Sequence, residues 1–239
     1  MNDCCSLQGQ EAVTGWQHCI QLYQTALAQM PAGMSSFELE FNLGTACMEL
    51  AGVAHALAPL ARPPACSPDA KCHSKSLSAC EGGAEVESLY LTACMHLGRA
   101  NELDACNAAA LNNWGASLSK FARRKGRDEA LPLLQESIIK HRNCLAIEPS
   151  NAEYTCNLAD TVAEMAALLS GPASDTLYQE AYGMWEQVLQ QLQGTANLTD
   201  RCDATVNYGN ALAVHAARLS DEGNRCVRLA MQLFVAPFD

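Results

Sequence analysis

Residues 112–124 read NNWGASLSKFARR, a run with helical character that nevertheless carries Gly115 in its interior. An interior Gly costs a helix about 1 kcal/mol against Ala, so its place there suggests a neighbour that must come close. The same trio recurs along the chain. Asn42-Leu43-Gly44, Asn113-Trp114-Gly115, Asn157-Leu158-Ala159 and Asn207-Tyr208-Gly209 each consist of Asn, a large apolar residue and a tiny one. Two residues further on stands another small or β-branched residue: Ala46, Ser117, Thr161 and Ala211. Small positions on one face with a large one beside them describe a helix packed tightly against a second helix, because the missing side chain lets two backbones approach.

A second pattern accompanies the first. In Ala181, Trp185, Val188 and Leu189 a small residue is followed by an aromatic four on and an apolar pair seven and eight on. Cys19, Tyr23, Ala26, Leu27 repeat it with Pro31 behind; Ser137, His141, Cys144, Leu145 repeat it with Pro149 behind; Val86, Tyr90, Ala93, Cys94 do so more loosely. Spacings of three, four and seven lie on one helical stripe, so each set marks a second helix with its own buried face.

Paired helices with these small positions and a closing Pro resemble the tetratricopeptide (TPR) repeat. The likeness covers nearly the whole chain apart from a central insert. It implies an all-α fold, a right-handed α-solenoid of stacked antiparallel helix pairs, and a concave groove lined by the first helix of each pair. The departure is in length. Gly115 and Ser137 are 22 residues apart, as are Ala159 and Ala181, so both middle repeats exceed the usual unit of about 34 residues by about 10. Such elongated repeats are similar to those of the plant-type mitochondrial outer-membrane import receptor.

Prolines, which a helix interior excludes, help to place the ends. Pro31, Pro149, Pro172 and Pro237 fall at or beyond expected ends, and Pro132 falls in a first turn after an Asp128 cap. Helices are expected near 9–30, 36–58, 84–99, 103–125, 128–147, 151–170, 174–193, 199–219 and 222–235, all in one helical domain spanning 1–239. Residues 59–83 interrupt it as a Pro/Cys/Ser-rich loop. Cys66, Cys72, His73 and Cys80 in that loop are weak metal candidates, since zinc needs four convergent soft ligands and no C-x2-C knuckle is present. A surface loop with reduced thiols is the simpler expectation.

With 49% hydrophobic residues the 239-residue chain can build a sizeable core. Only 17% of residues are charged and the net charge is −11, which argues against nucleic acid as a partner. The short basic cluster Arg123, Arg124, Lys125, Arg127 suits a helix C-terminus, where cations complement the dipole. The start MNDCCSLQGQE has neither a basic nor an apolar region, and no stretch of about 18 apolar residues occurs, so neither a secretory signal nor a transmembrane segment is expected. That points to a reducing environment, cytoplasmic or inside an organelle. Most of the 13 Cys residues, among them Cys19, Cys47, Cys94, Cys144 and Cys156, take small or apolar repeat positions and are expected to behave as small hydrophobes.

None of the nucleophile elbow, the H-E-x-x-H motif, the P-loop or the dinucleotide fingerprint is present, and the six His residues are scattered. No enzyme activity and no cofactor are expected, a helical enzyme being a distant third reading. The resemblance instead points to the asparagines. An amide presents a donor and an acceptor together, which suits a peptide backbone. Asn42, Asn113, Asn157 and Asn207 would form a ladder along the groove, with Asn112, Asp160, Asp203 and Asn210 nearby. Chaperone-binding members of the family clamp a carboxylate tail with cations, but the matching positions here are Phe41, Ala109, Asn112, Asn113, Glu153, Cys156, Asp203, Val206 and Asn207. Carboxylates brought towards Glu153, Asp160 and Asp203 would be repelled. The expected function is a protein–protein interaction scaffold taking a neutral or basic segment, a helix or an extended peptide. A permanent structural subunit of a larger assembly is the alternative.

Overall fold

The structure is a computed structural model that describes residues 2–32, 34–57, 75–193 and 198–219. All described regular structure is helical: α1 (Asn2–Ala28), α2 (Phe37–Leu57), α3 (Lys75–Leu103), α4 (Ala108–Ala122), α5 (Arg127–Ile147), α6 (Ala152–Leu168), α7 (Pro172–Gln191) and α8 (Leu198–Ala216). The chain divides into two compact units, Met1–Gly126 and Arg127–Asp239.

In the first unit α2 and α3 run antiparallel. Gly44 of α2 is the reason they can lie so close: a Cβ there would stand 2.7 Å from Leu97 Cγ and 3.1 Å from the Leu97 backbone nitrogen. The pair is also tied by a buried carboxylate. Glu40 accepts from Ser35 Oγ at 2.6 Å and from His96 Nδ1 at 2.6 Å, with the Arg99 guanidinium at 3.8 Å. Burial by itself would raise the Glu40 pKa. The hydrogen bonds from His96 and Ser35 and the charges of His96 and Arg99 outweigh it, so the group lies below its ordinary value. Helix α4 then packs antiparallel on α3, and Trp114 rests over Gly98, whose Cβ would touch the indole at 3.4 Å. Trp114 thus packs between α3 and α4. Arg123, Arg124 and Lys125 sit just past the end of α4, where Arg124 reaches His55 Nδ1 at 2.8 Å and Lys125 pairs with Glu87 at 2.5 Å, whereas Arg127 opens α5.

In the second unit α5, α6, α7 and α8 follow in the same manner. The α5 stripe of Ala130, Leu134, Ser137, Ile138, His141 and Cys144 is buried, and so are Ala181, Trp185 and Val188 of α7. Tyr182, Trp185 and Tyr208 form an aromatic core with ring centroids 5.2–6.5 Å apart. Just past the end of α8, Arg218 donates to the Ala166 carbonyl at 3.3 Å, the Leu169 carbonyl at 3.2 Å and the Ala167 carbonyl, placing a cation at the C-terminal end of α6.

Several expectations need correction. Helix α3 begins at Lys75, so 75–83 are backbone-helical and not loop; Lys75 to Glu81 contain neither Gly nor Pro, and the following Gly82-Gly83 pair does not stop the helix. Helix α4 begins only at Ala108, because Asn107 caps it by accepting from the Ala110 amide at 3.1 Å. Asn151 caps α6 in the same way through Tyr154, at 3.2 Å. Pro172 opens α7 at a first-turn position that needs no N–H donor. Pro132 lies inside α5, deeper than a first turn. Helix α8 starts at Leu198, one residue ahead of the expected start at 199. The expected helix over 222–235 and the candidate ligands Cys66, Cys72 and His73 lie outside the described residues.

His141 occupies the aromatic position of its stripe and carries a pH dependence. It is 1% exposed, its Nδ1 has no hydrogen-bond partner among the described residues, and burial lowers its pKa from 6.5 to about 4. The unfolded chain therefore takes up the proton first. The stability that depends on a neutral His141 is complete above about pH 6.5 and declines as pH falls towards 4, by about 3 kcal/mol in total. In urea titrations His141→Phe should lose about 2 kcal/mol less than the wild type between pH 7 and pH 5. Equal losses in the two proteins would refute the assignment.

Candidate interaction groove

In both units the first helices of successive pairs lie side by side and run parallel, and the ladder asparagines join them by one rule. Asn113 Nδ2 on α4 donates to Thr45 Oγ1 on α2 at 3.1 Å, and Thr45 is three residues beyond Asn42. Asn207 Nδ2 on α8 donates to Asp160 Oδ2 on α6 at 2.9 Å, and Asp160 is three residues beyond Asn157. Each amide thus fixes its helix against the preceding one, a helical turn further along. That uses one of the four hydrogen-bonding sites of an Asn side chain.

Of the eight residues chosen from the sequence, Asn157, Asp160, Asp203 and Asn207 come together. They line a cavity of about 260 Å3 between α6 and α8. Asn42 is half-buried on α2, and Asn113 is half-buried on α4. Asn112 is buried and directs its Nδ2 at the Asn113 side-chain oxygen Oδ1, 3.5 Å away. Asn210 is exposed on α8 and is not part of the cavity wall.

The cavity also has walls that the repeat motif does not mark. Ala152, Val188, Leu192 and Ala204 make it partly apolar, and Glu153 adds a third carboxylate to Asp160 and Asp203. None of the described residues lining it is a Lys, Arg or His. The Glu153 signal was present in the sequence, since Glu153 stands at a position that the carboxylate-clamp proteins fill with a cation. Val188 and Leu192 come from the end of α7, and no pattern in the first helices points to them.

A second cluster lies at the other end of α8. His215 Nε2 donates to Asp175 Oδ1 at 3.1 Å, because the carboxylate can only accept, which leaves Nδ1 to accept from the Tyr182 hydroxyl at 2.9 Å. The chain of acid, imidazole and hydroxyl has the order of a catalytic relay, but the hydroxyl end is turned into the aromatic core. Tyr182 is buried, and burial pushes its pKa far above the ordinary range, so it stays protonated. The imidazole is stacked on Tyr178, with centroids 4.2 Å apart. These contacts join α8 to α7. Among the described residues no group of three His, Cys, Asp or Glu side chains is placed to hold a metal ion, and no helix is long and apolar enough to cross a membrane.

No family model matches the chain, and no curated protein matches it. Solved structures with a similar course of the backbone include MamA from AMB-1, at 13% identity over 81% of this chain and 95% of that one, with a TM-score of 0.34. A protein from Podosopora anserina of kinesin-light-chain type, with nearly identical TPR-like repeats, is 15% identical over 97% of this chain and 95% of its own, with a TM-score of 0.41. A computationally designed self-assembling cyclic homooligomer is 9% identical over 98% and 83%, with a TM-score of 0.31. At TM-scores below 0.5 these likenesses add nothing to what the repeats of this chain show by themselves. Within each unit the described helices pack antiparallel in succession.

Proposed function

We propose that this chain is a non-enzymatic protein-interaction scaffold that holds a helix or an extended segment of a partner along the face carrying Asn157, Asp160, Asp203 and Asn207. The observation that supports the reading is the cavity between α6 and α8, where four side chains selected for peptide binding meet around one space. Amide side chains there can serve a partner's backbone without regard to its sequence. Three carboxylates and no cation among the described walls favour a neutral or basic segment over a carboxylate tail. Asn42, Asn112 and Asn113 hold the equivalent motif positions in the first unit, and we extend the reading to them and to Asn210.

The test is affinity capture from the native source, comparing the wild type with Asn157→Ala/Asn207→Ala and identifying bound proteins by mass spectrometry. Circular dichroism confirms that the variant is folded. Loss of a specific partner, with at least about a tenfold drop in its measured affinity, is the expected result. The reading is wrong if every wild-type partner is retained. One observation favours the structural-subunit alternative: Leu91 and Met95 on α3 and Ile139 on α5 are large apolar side chains more than half exposed. That alternative predicts a partner held at fixed stoichiometry which survives the groove substitutions.

A further inference from the structure

Resting on that groove reading, we infer that the cavity between α6 and α8 is a slot for one long cationic side chain, Lys or Arg, of the bound segment. Size speaks first. At about 260 Å3 the space falls below the ~300–1,000 Å3 of ordinary small-molecule pockets, so it suits a side chain better than a cofactor. The walls speak next. Exposed Val206 and half-buried Ala152 supply apolar surface, with Val188, Leu192 and Ala204 buried in the wall, and Glu153, Asp160 and Asp203 supply negative charge from two helices. Lys and Arg are the side chains built for such a place, with an aliphatic stem that lies on apolar surface and a charged head that needs a carboxylate. A purely apolar side chain would desolvate the carboxylates and offer nothing in return, and an acidic one would be repelled.

The acids themselves are not arranged for a metal, since no metal-holding group of three occurs among the described residues. Asp160 is also fixed before any partner arrives, because Asn207 Nδ2 holds its Oδ2 at 2.9 Å. Asn207 is therefore a positioning residue, and Glu153 and Asp203, both exposed, are the groups left to close on the incoming head. A carboxylate held in place by its neighbour has less freedom to lose on binding.

The experiment is a nitrogen-15 NMR titration of the full chain with N-acetyl-arginine amide, set against N-acetyl-norleucine amide, which has an unbranched neutral stem, and N-acetyl-glutamate amide. The arginine probe should shift the amides around Glu153–Asp160 and Asp203–Asn207 saturably. Its affinity should fall about tenfold in Glu153→Gln/Asp203→Asn, and again in about 0.5 M NaCl, where the screening length is only ~4 Å. The norleucine and glutamate probes should not saturate. Equal binding of norleucine and arginine, or no saturable shift with any probe, overturns the slot. Partner capture separates the two levels. A partner lost from Asn157→Ala/Asn207→Ala but kept by Glu153→Gln/Asp203→Asn means that the groove stands and the slot falls. A partner kept by both removes the groove as well.

Discussion

Trp185→Ala should lower the stability of the Arg127–Asp239 unit by about 3–5 kcal/mol, the largest loss expected of any single truncation in it. The indole is fully buried, stacked near Tyr208 at 5.6 Å and tilted against Tyr182 at 6.5 Å. Removing it takes away apolar area and leaves a cavity between α7 and α8, which α8 fills poorly because Tyr208 and His215 are already held by bonds to Glu186 and Asp175. Trp185→Phe should behave differently. The indole Nε1 is buried with no hydrogen-bond partner among the described residues, so the smaller ring forfeits area without orphaning a polar group. Its cost should stay below about half that of the Ala variant. Denaturant titrations of the two variants check this, and comparable losses would mean that the indole nitrogen has an acceptor after all.

The second large effect is a contrast in sign between two glycines of the same motif. Gly44→Val should destabilise the Met1–Gly126 unit by about 3 kcal/mol, at the upper end of what overpacking usually does. A Cβ at Gly44 would meet Leu97 Cγ at 2.7 Å, which can turn aside, but also the Leu97 nitrogen at 3.1 Å and the Ala93 carbonyl oxygen at 3.2 Å, which are backbone and cannot. Gly209→Ala should instead stabilise by about 0.5–1 kcal/mol, because a Cβ there meets nothing within 4 Å and Ala is the better helix former. The motif suggested that both glycines admit a second helix closely. In the described structure Gly44 does so and Gly209 does not. Thermal unfolding should move down for Gly44→Val by about 10 °C or more and up by a few degrees for Gly209→Ala. A fall for Gly209→Ala would show that its face is covered.

The helix pairs were legible because their signal is local. Ser137, His141 and Cys144, or Ala181, Trp185 and Val188, mark a buried stripe through spacing alone, and all six are buried. Helix starts were less legible. Asn107 and Asn151 act as caps through bonds of their side chains to amides three residues on, and Asn is common enough in this chain that its identity alone did not single these two out. Candidate site residues divided for the same kind of reason. The recurring Asn-apolar-tiny motif located Asn157 and Asn207, and their helical neighbours followed from the 3.6-residue period.

The sequence alone therefore determined the all-α class and the buried stripe of each helix, which depend on residues within a turn or two of one another, and the negative charge, which depends only on composition. Tertiary structure decided the rest. Only when α6 and α8 lie in register does Asn207 meet Asp160, 47 positions away in the chain. Only then do Val188 and Leu192 close the apolar side of a cavity whose acidic residues come from two different helices. The division into two compact units is likewise a matter of which helices share contacts, and no stretch of residues announces it. Side-chain chemistry is written in one dimension, but a binding surface is made by residues whose separation along the chain says nothing about their separation in space.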